Sequence, residues 1–137
     1  MNRSYGDPVK VFDDKAATGI SKLVYVKDYT NISLAIHGKS SPDLTIKLVG
    51  STMEWTPGAY TAPDMTATQG EDNSWDFVQM IDLQNGATIN GDTGLVFTGS
   101  ADDRNLEANV NALIWVALRV TARAAGSVSA FITPFSI

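Results

Sequence analysis

The sequence has no cysteine and only one histidine among its 137 residues. Without cysteine there is no disulfide framework, no thiolate nucleophile and no cysteine-ligated zinc site. A Ser-His-Asp triad or a histidine-based metal site would have to include His37. We expect His37 to be a solvent-facing histidine at the end of a strand, so these shortages disfavour an enzyme.

Basic residues are also few, with 10 Lys and Arg against 15 Asp and Glu and a net charge of −5. Nucleic-acid binding depends on clustered cations, and the cations here are scattered singly, so we expect no nucleic-acid partner. Residues 1–8 hold one Arg and one Asp, and are predicted to be an arm that orders only against a neighbouring subunit. No apolar run approaches the ~20 residues of a membrane span, and no signal peptide is visible.

Helical periodicity is missing as well, and an alternation of period two takes its place. Every second residue of 114–123 is apolar, which predicts a strand with one face in a core. Ala124-Ala125-Gly126 is predicted to reverse the chain, because glycine supplies the positive φ of a turn. A second strand over residues 128–133 would complete a hairpin. The alternating apolar residues of the first strand are Ile114, Val116, Leu118, Val120 and Ala122.

The same alternation recurs along the rest of the chain. Residues 29–37 and 44–49 predict a hairpin around a turn at 38–43, and Gln84-Asn85-Gly86 and Asn90-Gly91-Asp92 predict two further turns. About eight or nine short strands with turns between them are typical of an all-β sandwich or barrel. We predict a single domain over residues 1–137, with an antiparallel, jelly-roll-like β-sandwich fold.

One long segment interrupts this pattern. Residues 50–73 contain two prolines together with Trp55, Tyr60 and Met65. A loop of this length usually serves a function or a partner, although it could equally fold over one open end of its own core.

The three tryptophans have two possible uses. Trp55, Trp75 and Trp115 could form a sugar-stacking platform, or they could lie in a subunit interface, where aromatic residues and methionine concentrate. Trp115 shares a strand face with Leu113 and Ala117, which favours the interface. The predicted interface residues are Trp55, Tyr60, Met65, Leu113 and Trp115.

Oxygen-rich segments could suggest calcium, which needs six to eight converging oxygen ligands. Residues 71–76 have the best spacing, but Asp and Asn also occur in turns because they bond their own backbone. We therefore predict no metal and no cofactor. The glycines at 86, 91, 94 and 99 precede no helix, so they do not form a phosphate-binding loop.

Two stretches carry a resemblance to a known class of protein. Residues 75–99, WDFVQMIDLQNGATINGDTGLVFTG, and residues 109–135, NVNALIWVALRVTARAAGSVSAFITPF, resemble small structural proteins encoded among the virion genes of tailed bacteriophages. The resemblance covers roughly the C-terminal half, and LTIKLVGS at 44–51 has the same style. It implies a β-sandwich subunit, commonly a trimer, that decorates or cements a capsid or lies at the neck or tail. It transfers no catalytic residues.

The sequence therefore predicts a non-enzymatic virion structural protein that binds the major capsid protein or other virion proteins as a homo-oligomer, most often a trimer. The alternative is a carbohydrate-binding module or receptor-binding tip that uses exposed aromatic residues.

Overall fold

A computed structural model describes residues 3–54 and 75–137, and every element in these two ranges is a strand or a connection. No helix in these ranges could span a membrane. The strands are β1 Ser4–Tyr5, β2 Val9–Lys15, β3 Gly19–Ile20, β4 Val24–Tyr25, β5 Asn31–Ser51, β6 Trp75–Val78, β7 Met80–Asp82, β8 Thr88–Ile89, β9 Leu95–Thr98, β10 Asp102–Asn109 and β11 Trp115–Ser136. The all-β antiparallel class is confirmed, with eleven described strands rather than eight or nine.

Two long strands, β5 and β11, organise the fold. They pair antiparallel along their whole length, from Trp115 opposite Ser51 to Phe135 opposite Asn31. The two predicted hairpins are therefore wrong, since neither the segment at 38–43 nor Ala124-Ala125-Gly126 reverses the chain. These segments lie opposite each other and form bulges in a continuous ladder.

The residues predicted to form these two turns do adopt turn-like backbone angles, but they bend the strands instead of ending them. Ser40, Ser41 and Gly126 have φ angles of 58°, 53° and 77°. A bulge needs such residues as much as a turn does, and it kinks both strands without breaking their pairing. The two Asn-Gly turns are confirmed, with Gly86 N–H donating to Asp82 O and Thr93 N–H donating to Asn90 O.

The bulges divide the sheet into two halves. The wide half contains residues 31–39 of β5 and 127–136 of β11, flanked by β1 and β2 on one side and by β10, β7 and β8 on the other. The narrow half contains residues 43–51 and 115–125, flanked by β3 and β4 and by β6 and β9.

One apolar core joins the two halves. Alternate residues of β5 from both halves belong to the same buried cluster, and β11 contributes in the same way. Since residues of both halves share this buried cluster, the halves pack against each other in a sandwich-like manner. The central members are Ile32, Leu34, Ile36, Leu44, Ile46, Leu48, Val116, Leu118, Val120, Val128, Ala130 and Ile132.

Residues 4–6 of the predicted arm join the sheet of their own chain. Ser4 and Tyr5 pair with Ser136 and Phe135, and Gly6 N–H donates to Pro134 O at 2.8 Å. The expectation that residues 1–8 order only against a neighbour is therefore wrong for these three.

Gly126 permits a direct test of the bend. Both Gly126 and Gly86 have a φ near +75°, but a Cβ on Gly126 would lie 2.5 Å from Pro42 Cα, whereas one on Gly86 would meet nothing within 4 Å. Gly86→Ala should therefore show only the left-handed backbone cost of about 1–2 kcal/mol. Gly126→Ala should lower the free energy of unfolding at least twice as much in urea titrations. Equal losses would contradict the described packing of the bend.

Candidate interaction surface

The structure buries Trp115 within its own fold. Trp115, Ser51 and Trp75 are opposite one another on three adjacent strands, and Tyr25 packs edge-on against the Trp115 ring at 4.9 Å. Trp115 is 9% exposed and Trp75 is 1% exposed. The small Ser51 side chain leaves room for two indole rings over one face of the narrow half.

Trp115 lies on the less buried face of β11, where Arg119 is only partly buried and Arg123 is exposed, but its own ring is covered. It is covered because β6 places Trp75 over the same face, forming a second apolar cluster with Val49 and Ala117. A sugar platform built on exposed Trp75 and Trp115 rings is excluded by their burial. Leu113 is partly buried against the main core. Trp55, Tyr60 and Met65 lie outside the described residues.

More of the exposed large apolar side chains in the described ranges lie on the outer face of the wide half. A groove of about 350 Å³ is lined by apolar side chains with one arginine and one glutamate. Ser33 forms part of its floor, since its neighbours in β5, Ile32 and Leu34, point into the core. The lining residues are Arg3, Tyr5, Ser33, Leu83, Glu107, Phe135 and Ile137.

Strand pairing places four of the seven side chains, those of Tyr5, Ser33, Glu107 and Phe135. Tyr5 is opposite Phe135, and their ring centroids are 5.6 Å apart. Glu107 is opposite Ser33 on one side and Ile81 on the other, so β10 carries its carboxylate across the middle of this face. Because these four positions are on paired strands, this part of the groove is preformed, and Arg3, Leu83 and Ile137 lie just beyond the ends of β1, β7 and β11.

Sequence reasoning missed this surface because Asp82 is on the inner face. Residues 75–83 alternate, and Ile81 and Leu83 form the more apolar face near the end of the run. The structure buries Met80 and Asp82 and leaves Ile81 and Leu83 exposed. The sequence signal for this surface was a pair of apolar residues on the strand face that points away from Asp82. That pair indicates an interaction face only if Asp82 is buried, and burial of an aspartate requires a buried partner.

That partner is Arg104 on β10. Its Nη2 donates to Asp82 Oδ2, its Nη1 donates to Asp102 Oδ2 at 3.2 Å, and Gln84 N–H donates to Asp82 Oδ1 at 3.0 Å. The buried carboxylate thus joins β7, β10 and the turn that begins at Gln84. This network holds Leu83 in place beside the groove.

Several other ionisable side chains form paired contacts. His37 Nδ1 lies 2.7 Å from Asp103 Oδ1, and the Asp103 side chain is largely exposed, unlike the buried aspartate of a catalytic triad. His37 lies within β5 rather than at a strand end. Asp14 bonds to Lys39, and the described residues contain no group of three metal-ligating side chains. Most of the calcium candidate at 71–76 lies in the segment 55–74, which is not described.

Two carboxylates should make the free energy of unfolding depend on pH in the acidic range. The pKa of Asp14 lies below its ordinary 3.8 because Lys39 and Ser129 bond its carboxylate, and the pKa of Glu54 lies below 4.5 because Lys27 and Tyr25 bond it. A lowered folded-state pKa stabilises the fold above the ordinary pKa, and that contribution disappears as the pH falls through the folded-state value.

The native protein should therefore lose stability as the pH falls below about 4.5. The double variant Asp14→Asn, Glu54→Gln should lose less over the same interval, which urea midpoints at pH 7 and at pH 3.5 would measure. Asp13→Asn, a neighbouring carboxylate paired with Lys10, is the matched control. Parallel pH profiles for the native and double-variant proteins would contradict the assignment.

Comparison with known proteins rests on the fold, since the sequence matches no protein-family model and no curated protein. Two prophage proteins share this fold. The SPBc2 prophage-derived protein YomS matches with a TM-score of 0.69 and 10% identity, over 99% of this chain and 96% of that one. The PBSX exported protein XepA matches with a TM-score of 0.67 and 8% identity, over 99% of this chain.

The two matches differ in how much of the other protein they cover. This chain spans 39% of XepA but nearly the whole of YomS. At such low identity the likeness concerns the arrangement of the strands and transfers no side chain. Any function of the groove must therefore be argued from its own residues.

Proposed function

We propose that this chain is a non-enzymatic structural component of a bacteriophage particle and acts by binding other protein subunits. The observation that carries the proposal is the fold similarity over 96% of a prophage-derived protein, YomS. The sequence resemblance to virion structural proteins supports the same role.

The chemistry of the surface is consistent with binding rather than catalysis. The groove combines exposed apolar side chains with one cation, Arg3, and one anion, Glu107, a composition typical of contacts between proteins. The carboxylates of Asp14 and Asp82 each have a cationic partner, Asp103 contacts His37, and these contacts use them structurally.

The more specific role we propose is that of a capsid decoration or cement subunit, on the outer surface of the capsid or at the neck or tail. The subunit would act as an oligomer, with three copies favoured, on a repetitive surface of the major capsid protein or another virion protein. A net charge of −5 suits a position outside the packaged DNA, where no phosphate has to be neutralised.

Deletion and add-back would test this role. Particles from cells in which the gene has been deleted should release DNA at a lower temperature than native particles, because a cement subunit braces the shell. Purified protein added to these particles should bind them and restore the native release temperature. Unchanged release together with no binding would overturn the cement role.

A further inference from the structure

The exposed apolar side chains concentrate on one part of the surface. Seven large hydrophobic side chains are exposed in the described ranges, and four of them lie at or beside the groove. Leu83 is 53% exposed, Tyr5 58% and Ile137 67%. The fourth, Ile81, is opposite Glu107 and on the same face as Leu83. A concentration of this kind on a small chain marks a contact surface.

The charges of the groove indicate which partner fits it. Two copies of a chain with net charge −5 repel each other over most of their surfaces. The groove is an exception, since its lining contains one cation, Arg3, and one anion, Glu107. Copies related by a rotation axis at this face can place Arg3 of one copy against Glu107 of the next, so the face is complementary to itself.

We infer that a second copy of this chain occupies the groove, with Leu83, Tyr5 and Ile137 forming the apolar centre and Arg3 and Glu107 pairing between copies. The inference rests on the proposed function, for which it identifies the surface that makes the oligomer. Because Tyr5, Ser33 and Glu107 are on paired strands, little ordering is needed when the copies meet.

Mass measurement of matched variants tests the inference. Sedimentation should give a multiple of 14.7 kDa for the native protein at micromolar concentration. Leu83→Asp should weaken self-association at least about 30-fold, as expected for a residue at the centre of an interface. Val96→Asp is the control, because Val96 is an exposed aliphatic residue of β9 in the narrow half. It should leave the mass unchanged.

A charge exchange separates specific pairing from general loss of apolar surface. Glu107→Arg alone and Arg3→Glu alone should each reduce association, because like charges would meet between copies. The double variant Arg3→Glu, Glu107→Arg should recover most of it. Thermal unfolding of each variant shows that the fold is retained.

Either of two results would overturn the inference: a native protein that is monomeric at all concentrations, or Leu83→Asp and Val96→Asp variants that associate equally. The proposed function fails independently of these results. If the chain is found in particles but its Leu83→Asp variant still self-associates, only the inferred contact is overturned. If the chain self-associates through the groove but is absent from particles, only the proposed virion role is overturned.

Discussion

Replacing Asp82 by alanine is expected to lower the free energy of unfolding by about 3–5 kcal/mol, although the residue is polar. Asp82 is 4% exposed and accepts hydrogen bonds from Arg104 and from the backbone of Gln84. Its removal leaves the mostly buried guanidinium of Arg104 without its main counter-charge and the Gln84 amide without its acceptor. Such groups cost far more unpaired than the pair contributes when it is intact.

Asp102→Ala is the matched control for this prediction. Asp102 bonds the same arginine through Nη1, but its side chain is half-exposed, so its loss should cost at most about 1 kcal/mol. Urea titration at pH 7 measures both variants. Equal losses for the two would contradict the view that the buried carboxylate holds β7 against β10.

The Asp82 variant also bears on the groove. Leu83 follows Asp82 directly, and the turn after it depends on the same carboxylate. If Asp82→Ala still folds at low temperature, its self-association should be weaker than that of the native protein, because Leu83 is no longer held in position. Asp102→Ala should associate normally.

Replacing Trp75 by alanine should be equally damaging, with a loss of about 3–5 kcal/mol. Trp75 is fully buried on the second face of the narrow half, where it covers Val49 and shields Trp115. Removing the indole leaves a cavity that strands β5 and β11 cannot close, since their pairing fixes their separation. The loss combines lost burial with the cost of that cavity.

Tyr25→Ala provides the comparison for Trp75→Ala. Tyr25 belongs to the same row of side chains and contacts Trp115 from the other side, but it is exposed. Its replacement should cost less than half as much in the same urea titration. A Trp75→Ala variant within about 0.5 kcal/mol of the native protein would contradict the burial of both indoles, because only surface substitutions have so small an effect.

Alternation of apolar residues was sufficient to predict an all-β protein and most of its core. Val116, Leu118 and Val120 point inward as predicted, and so do Ile32, Leu34 and Ile36. These assignments depend only on the period of the strand, which is local.

The connections between strands could not be predicted in the same way. Gly126 has the positive φ of a turn, but whether that φ reverses a strand or bends it depends on what lies opposite. Here the opposite segment, residues 38–43, has a matching irregularity, so both strands continue. The segment that decides whether the strand bends or reverses at Gly126 is therefore 80 or more positions away along the chain.

The position of the candidate surface could not be predicted from the sequence for a related reason. Trp115 looked available because the residues of 75–78 that cover it are distant in sequence. Alternation over residues 75–83 does not decide which face is buried, and it is the bond from Arg104 on β10 that allows Asp82 to be internal and leaves Leu83 outside. The predicted contacts of Trp55, Tyr60 and Met65 stay predictions.

The most direct test of the central claim is quantitative mass spectrometry of phage particles purified by density gradient from cells that carry this gene. The account predicts that the chain co-purifies with the major capsid protein at a fixed copy number that survives a high-salt wash. A chain absent from the particles and recovered only from the surrounding lysate would contradict its role as a structural component of the virion.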